Sequence, residues 1–334
     1  MIITRSPFRV SFFGGGSDLE SFYRRGAGAV LSTTIDRYMY LSVHPYFDGR
    51  SIHVKYSSSE LAGAVADVRH PIVRRVLERL GISGGVEITS TADVPAGTGL
   101  GSSSAFTVGL LNSIYAHTGR QISVERLARE ACQIEIEDLK TPIGKQDQYA
   151  SAYGGLNLIR FFPDESVDVT PLVISPECRR ALEASLLMFY TGEQRSAASV
   201  LVEQRQAIDS DAAKYAAMCR MVDQVMEAKA LLEAGDVAAF GRLLDEAWRI
   251  KRTLTSKISN PAIDRVYEAA RAAGAWGGKL LGAGGGGFLL LAAAPTEHAA
   301  IRAACPGMQE LPVRFERGGS KVVYMSEEAD ARGR

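Results

Sequence analysis

The stretch Pro95-Ala96-Gly97-Thr98-Gly99-Leu100-Gly101-Ser102-Ser103-Ser104-Ala105 constrains this chain more than any other. Glycines at 97, 99 and 101 admit positive φ and let a ligand approach bare backbone. Behind them Phe106, Leu110, Leu111 and Ile114 recur at helical spacing, which predicts a helix from about Ser103 to His117 that ends at Gly119, with Ser102 or Ser103 as its cap. The alternation Val86-Glu87-Ile88-Thr89 predicts a strand leading into the loop. Strand, loop and helix start in that order present unpaired N–H groups and the positive end of a helix dipole to an anion. Pro95, Gly97, Gly99, Leu100, Gly101, Ser102, Ser103 and Ser104 therefore read as a phosphate cradle. No lysine follows the last glycine as a Walker loop requires, and Ser102 stands where a dinucleotide fingerprint counted from Gly97 needs its third glycine.

At 334 residues the chain is about twice a usual domain, so two domains sharing a cleft are expected, divided as 1–175 and 176–334. The 38 basic and 38 acidic side chains cancel, which argues against a nucleic-acid partner. No apolar run reaches the length of a signal core or a membrane span, so a cytoplasmic protein with no membrane partner is expected, and a homo-oligomer is left open. Cys132, Cys178, Cys219 and Cys305 lack metal-site spacing and read as reduced, mostly buried thiols.

Residues 1–60 alternate as strands, with Phe47-Asp48-Gly49-Arg50 as a hairpin turn between Tyr38–Val43 and Ser51–Tyr56. Gly14-Gly15-Gly16-Ser17-Asp18 interrupts this sheet with a flexible turn that ends in an acid. Helical spacing recurs at Pro71–Leu80 and from about Val124 to Leu139. The second of these helices gathers Glu135, Glu137 and Asp138 where the dipole disfavours acids, a placement that a bound cation would explain. Beyond Pro142 and Gly144, Asp147 is the acid to follow. The second half reads as long helices, Ala197–Leu232, Val237–Lys257 and Pro261–Ala273. Short strands at Leu186–Tyr190, Phe288–Ala293, Leu311–Phe315 and Lys321–Met325 alternate with them in a small sheet, which gives an α+β class. Gly282–Gly287 matches G-x-G-x-x-G by letter but leads into a strand, so it reads as a close-approach loop, and an NAD-dependent oxidoreductase is disfavoured.

Three glycine-rich loops in this order resemble those of the GHMP kinases. Pro7 to Asp18 looks like their first motif, Pro95 to Ala105 their ATP loop, and Gly282 to Gly287 their third. The glycine triplet before Ser17-Asp18 is similar to the branch of heptose phosphate kinases and fucokinases. The resemblance implies a ribosomal-protein-like N-terminal α+β domain with a left-handed crossover and a ferredoxin-like C-terminal α/β sandwich, with ATP, Mg²⁺ and a sugar bound between them. It implies Asp147 as general base for the acceptor hydroxyl, Arg9 as the neighbouring cation, and Ser104 with Glu135 as magnesium ligands, Glu137 being the competing choice. Gly15, Gly16, Ser17 and Asp18 would contact substrate, as would Lys145, Tyr190, Arg195, Gly284 and Gly285. A phosphorylated acceptor would need cations, for which Lys140, Lys145, Arg37 and Arg195 are candidates. The reaction implied is transfer to the C1 hydroxyl of a heptose 7-phosphate, giving the 1,7-bisphosphate for nucleotide-activated heptose synthesis. The alternatives are an L-fucokinase or galactokinase-like enzyme on a free sugar, and a sensor of the same fold that binds without turnover.

Overall fold

Alternation in the first strand sets the architecture. In the computed structural model, which describes residues 1–192 and 197–326, β1 (Ile2–Phe13) buries Phe8, Val10 and Phe12 in the core and turns Arg9 and Ser11 into a cleft. Its long antiparallel partner β2 (Gly28–Pro45) is the centre of the larger sheet. The strands that follow are β3 (Ile52–Lys55), β4 (Ser59–Ala62), β5 (Val86–Ala92), β6 (Leu156–Phe161) and β7 (Val167–Pro171). The second half adds β8 (Leu186–Tyr190), β9 (Gly277–Leu280), β10 (Phe288–Ala292), β11 (Gln309–Glu310), β12 (Phe315–Glu316) and β13 (Lys321–Met325).

Among the described residues the larger sheet runs β13-β1-β2-β5-β3-β4, with β6 and β12 also pairing with β2, and β7 with β6. The smaller sheet is antiparallel, in the order β11-β8-β10-β9. The Ser102–His117 helix packs on β1 and β2, close enough for the Thr4 hydroxyl to donate to the Gly109 carbonyl at 3.1 Å. The two halves share one apolar cluster, and a second gathers the remainder of the second half's core around Trp248 and Tyr267. Phe240, on the Val237–Arg252 helix, meets Phe12 and Phe13 edge-on at 5.3 and 5.2 Å, and all three rings belong to the same buried cluster.

Several expectations need correction. The turn at 47–50 does not join paired strands: β5 lies between β2 and β3 and runs parallel to β3, a non-local pairing that turn residues cannot signal. Lys321–Met325 is a strand but pairs with β1, and β12 pairs with β2, so the end of the described chain returns to the larger sheet. Leu311–Phe315 is not one strand, being replaced by the short β11 and β12. The span 197–232 is two helices, Ala197–Ser210 and Ala212–Glu233, because Asp211 caps the second by accepting from the Ala213 and Lys214 N–H groups. Among the described residues no helix is long and apolar enough to cross a membrane.

Truncating Phe240 removes the ring that ties the Val237–Arg252 helix to β1. Phe240→Ala is expected to cost about 3–5 kcal/mol, read as a lower urea midpoint. An unchanged midpoint would show that the halves are held together elsewhere.

Candidate active site

Arg9 and Asp147 meet across the cleft as a fork on a fork. Arg9 Nε donates to Asp147 Oδ1 and Nη2 to Oδ2, each at 2.8 Å, while Nη1 donates to the carbonyl of Gly99. Asp147 sits in the first turn of the Gln146–Tyr153 helix, and the Arg9 N–H donates to the Leu100 carbonyl at 3.1 Å. One guanidinium thus couples β1, the glycine loop and the acid. Its geometry is bidentate and charge-assisted, the strongest class of such contact. Arg9 is 6% exposed, whereas the Asp147 side chain keeps 26% of its surface open toward the cleft.

The loop presents the helix start as expected, with one difference. The cap is Gly101, at φ 77 with no side-chain bond, and neither Ser102 nor Ser103 caps: the Ser103 hydroxyl donates to Glu135 Oε1 at 2.8 Å. Gly97, Gly99, Gly101 and the three serines line the cleft. The Leu100 side chain is buried, and Pro95 accepts from the Thr98 hydroxyl at the edge of a second chamber. That outer chamber is walled by Tyr56, His70 and Phe106, with the His70 ring stacked on Phe106 at 4.8 Å. Burial lowers the His70 pKa.

Glu135 is fixed by an irregularity absent from the sequence reading. The Val124–Cys132 helix widens into a π-helix over Gln133–Asp138, a form common at functional sites. Glu135 lies buried beneath the loop, where Gln148 Nε2 donates to its Oε2 at 2.7 Å, while Glu137 is exposed. Asp138 is held by Arg75 and Arg79. Burial raises the Glu135 pKa, against hydrogen bonds from Ser103, Ser104 and Gln148. No cationic side chain pairs with it among the described residues, and the neighbouring Gln148 Oε1 is a buried polar atom without a partner. A desolvated carboxylate beside two hydroxyls is an all-oxygen donor set that fits Mg²⁺.

Asp18 is buried with both oxygens engaged: Oδ1 accepts from Gly16 N–H at 2.9 Å and Oδ2 from Gln146 N–H at 3.1 Å. Burial and then the charge of Asp147 raise its pKa. A Cβ at Gly144 would lie 1.9 Å from Oδ2, so only glycine admits this carboxylate. Gly15, Gly16 and Gly284 line the cleft. Ser17 instead ties the turn to Ala29, Gly285 donates to the Ile258 carbonyl, and Tyr190 packs on Phe288 in the smaller sheet. The Lys145 ammonium turns to Glu165, Arg37 is held by Asp36, and Lys140 is exposed. Arg195 lies outside the described residues.

Two cleft residues escaped the sequence reading, Lys251 and Lys279, each 4% exposed. Lys251 Nζ donates to the Gly282 carbonyl at 2.6 Å and Lys279 Nζ to the Phe12 carbonyl at 2.9 Å. Burial and the charge of Arg9 push Lys251 down to about 8, and burial with the Lys251 and Arg9 charges pushes Lys279 well below the lysine range. For Lys251 a signal was there, since Phe240, Leu244, Trp248 and Lys251 share one buried helix face, whereas the Gly-Gly-Lys-Leu strand around Lys279 carries no apolar pattern.

The GHMP kinases N terminal domain matches residues 67–155, and the GHMP kinases C terminal domain matches 228–306. The D-glycero-alpha-D-manno-heptose 7-phosphate kinase of Campylobacter jejuni is 30% identical over 309 residues, covering 89% of this chain and 90% of that protein. The chain belongs to the GHMP kinases. It is an ATP-dependent carbohydrate kinase of that family. The galactokinase of Thermococcus kodakarensis is 30% identical over 316 residues, covering 84% of this chain and 85% of its own. A crystal structure of a D-glycero-D-manno-heptose 1-phosphate kinase from Bacteroides thetaiotaomicron superposes with a TM-score of 0.80 at 25% identity, covering 98% of this chain and 100% of that one.

In this GHMP kinase the Gly282–Gly287 loop braces the Pro95–Ala105 loop backbone to backbone. A Cβ at Gly99, where φ is 84, would lie 2.4 Å from the Leu281 carbonyl oxygen, and one at Gly287 would lie 2.3 Å from that of Thr98.

The buried Glu135 has a measurable stability signature. Because its folded-state pKa is raised above the usual 4.5, the unfolded chain ionises first as pH rises, so the folded state loses stability through that interval and carries the full penalty above it. Glu135→Gln, whose amide can donate to the free Gln148 Oε1, is expected to raise the melting temperature of nucleotide-free and metal-free protein at pH about 8, with the gap closing as pH falls toward the unfolded value. A constant gap across pH would show that the gain is not electrostatic.

Proposed function

We propose that this kinase transfers the γ-phosphoryl group of ATP to the anomeric (C1) hydroxyl of a D-glycero-D-manno-heptose 7-phosphate, giving the 1,7-bisphosphate and ADP. The observation that carries the reaction class is the Arg9–Asp147 fork set against the serine-lined start of the Ser102–His117 helix. Similarity to the Campylobacter kinase along nearly the whole chain supports the acceptor. The Bacteroides protein is named for a heptose 1-phosphate, so the two names differ over where a phosphate already sits.

In this reading the domains divide near 175/176 and the ATP phosphates lie over Gly97–Ser104, satisfying the N–H groups of the first helical turn. The base occupies the outer chamber against Tyr56, His70 and Phe106. The acceptor enters between Asp147 and the turn carrying Gly15, Gly16 and Asp18. Asp147 takes the proton of the acceptor hydroxyl as its oxygen bonds to the γ-phosphorus, and the bond from that phosphorus to the bridging oxygen breaks to release ADP. Arg9 orients the carboxylate and lends positive charge where negative charge accumulates. Ser104 and Glu135 would hold Mg²⁺, which supplies further charge neutralisation at the phosphates when bound.

One observation favours a free-sugar acceptor: Lys145 and Arg37, expected to receive a phosphate, are held by Glu165 and Asp36. The intact Arg9–Asp147 pair disfavours a sensor without turnover.

ADP release is to be measured with Mg-ATP against D-glycero-D-manno-heptose 7-phosphate, L-fucose and galactose. Turnover on the heptose phosphate is expected, with Asp147→Asn lowering kcat on the order of a hundredfold to ten-thousandfold while ATP still binds. Turnover on a free hexose alone would overturn the acceptor, and an active Asp147→Asn would overturn the base.

A further inference from the structure

The cleft holds more positive charge than the reaction scheme uses. Arg9, Lys251 and Lys279 all line it, at 6%, 4% and 4% exposure. Arg9 is matched by Asp147, and the Lys279 ammonium is occupied in joining β9 to β1 through the Phe12 carbonyl. Lys251, in the last turn of the Val237–Arg252 helix, donates to a single carbonyl, that of Gly282, and pairs with no carboxylate among the described residues. An ammonium removed from water beside two like charges is costly unless a counter-charge arrives. Burial and the Arg9 charge lower its pKa, while Asp18 acts in the opposite sense. Asp18 acts on it only at a distance, since no ion pair joins the two among the described residues.

The missing counter-charge has a direction. The nucleotide phosphates have their own receptor in the loop and helix start around Ser102–Ser104, beside Asp147 and Glu135. Lys251 lies against Gly282 of the third glycine loop and shares the cleft with Arg9 and Asp18, and of the cleft acids it is Asp18, in the turn assigned to the acceptor, whose charge acts on it. An anion held between Lys251 and the Asp18 turn would be the acceptor's own.

We infer that Lys251 receives the phosphate that the acceptor sugar already carries, and that it sets the preference of this enzyme for a phosphorylated over a free sugar. This rests on the acceptor reading given under Proposed function and supplies the cation that Lys145 and Arg37 do not.

The test is a KM and kcat comparison of wild type, Lys251→Met and Lys251→Gln on D-glycero-D-manno-heptose 7-phosphate and on the unphosphorylated heptose. Folding is checked by melting temperature and ATP binding, and the Gln variant, which keeps a donor for Gly282, serves if the Met variant does not fold. KM for the heptose phosphate is expected to rise on the order of 10- to 100-fold with the KM for ATP unmoved, so that the preference for the phosphorylated sugar falls by the same factor. Inorganic phosphate is expected to compete with the acceptor in the wild type and not in the variants. A loss of kcat shared equally by both sugars, or a raised KM for ATP, would overturn the inference by assigning Lys251 to the transferred group, and unchanged constants would overturn it outright. Wild type decides the underlying reading separately: no turnover on the heptose phosphate defeats the acceptor, whereas turnover with an unaltered variant defeats only Lys251.

Discussion

The bidentate contact between Arg9 and Asp147 is the constraint around which this cleft is built. Its arginine comes from the first strand and its aspartate from the first turn of a helix some 138 positions later, and the same guanidinium reaches the Gly99 carbonyl of the glycine-serine loop. Losing either partner would leave a charge in a poorly solvated site, which is why such pairs hold their elements in register more firmly than their net energy suggests. The alternation of β1 serves this contact: Phe8, Val10 and Phe12 anchor the strand while Arg9 and Ser11 face the cleft.

The glycine loops then complete one another. Gly99 lies against Leu281 and Gly282, and Gly287 against Thr98, at distances that exclude a side chain. A loop of the second half thus braces the Pro95–Ala105 loop of the first. The Thr191 N–H donates to the Gly287 carbonyl at 2.9 Å, so the end of β8 steadies that brace in turn. Phe240 between Phe12 and Phe13 gives the same coupling in the core. Charge of both signs surrounds this frame: Asp18 and Asp147 line the same cleft as Arg9, Lys251 and Lys279, with Glu135 buried beneath the first glycine-serine loop.

Much of this was legible in the sequence because it is local. Glycine runs, a helical pattern behind a serine triplet and a lone acid after Pro142-Ile143-Gly144 announce themselves over a dozen residues. What failed was non-local or geometric. The turn at 47–50 gave no sign that β5 would insert beside β3, since parallel pairing is decided by the sheet and not by the turn. The π-helix that buries Glu135 and exposes Glu137 leaves no compositional trace. Lys251 gives little sign because Arg249 and Arg252 stand with it in the last turn of an amphipathic helix, and Lys279 because its four-residue strand opens on two glycines, although a lysine on a buried face is itself the kind of exception that marks function.

The most direct test of the central claim is the position of the new phosphate. Phosphorus NMR of the product formed from Mg-ATP and D-glycero-D-manno-heptose 7-phosphate should show a second sugar phosphate coupled to the anomeric proton, with the original resonance retained. A product lacking that coupling, or no sugar bisphosphate while ADP accumulates, would contradict the account.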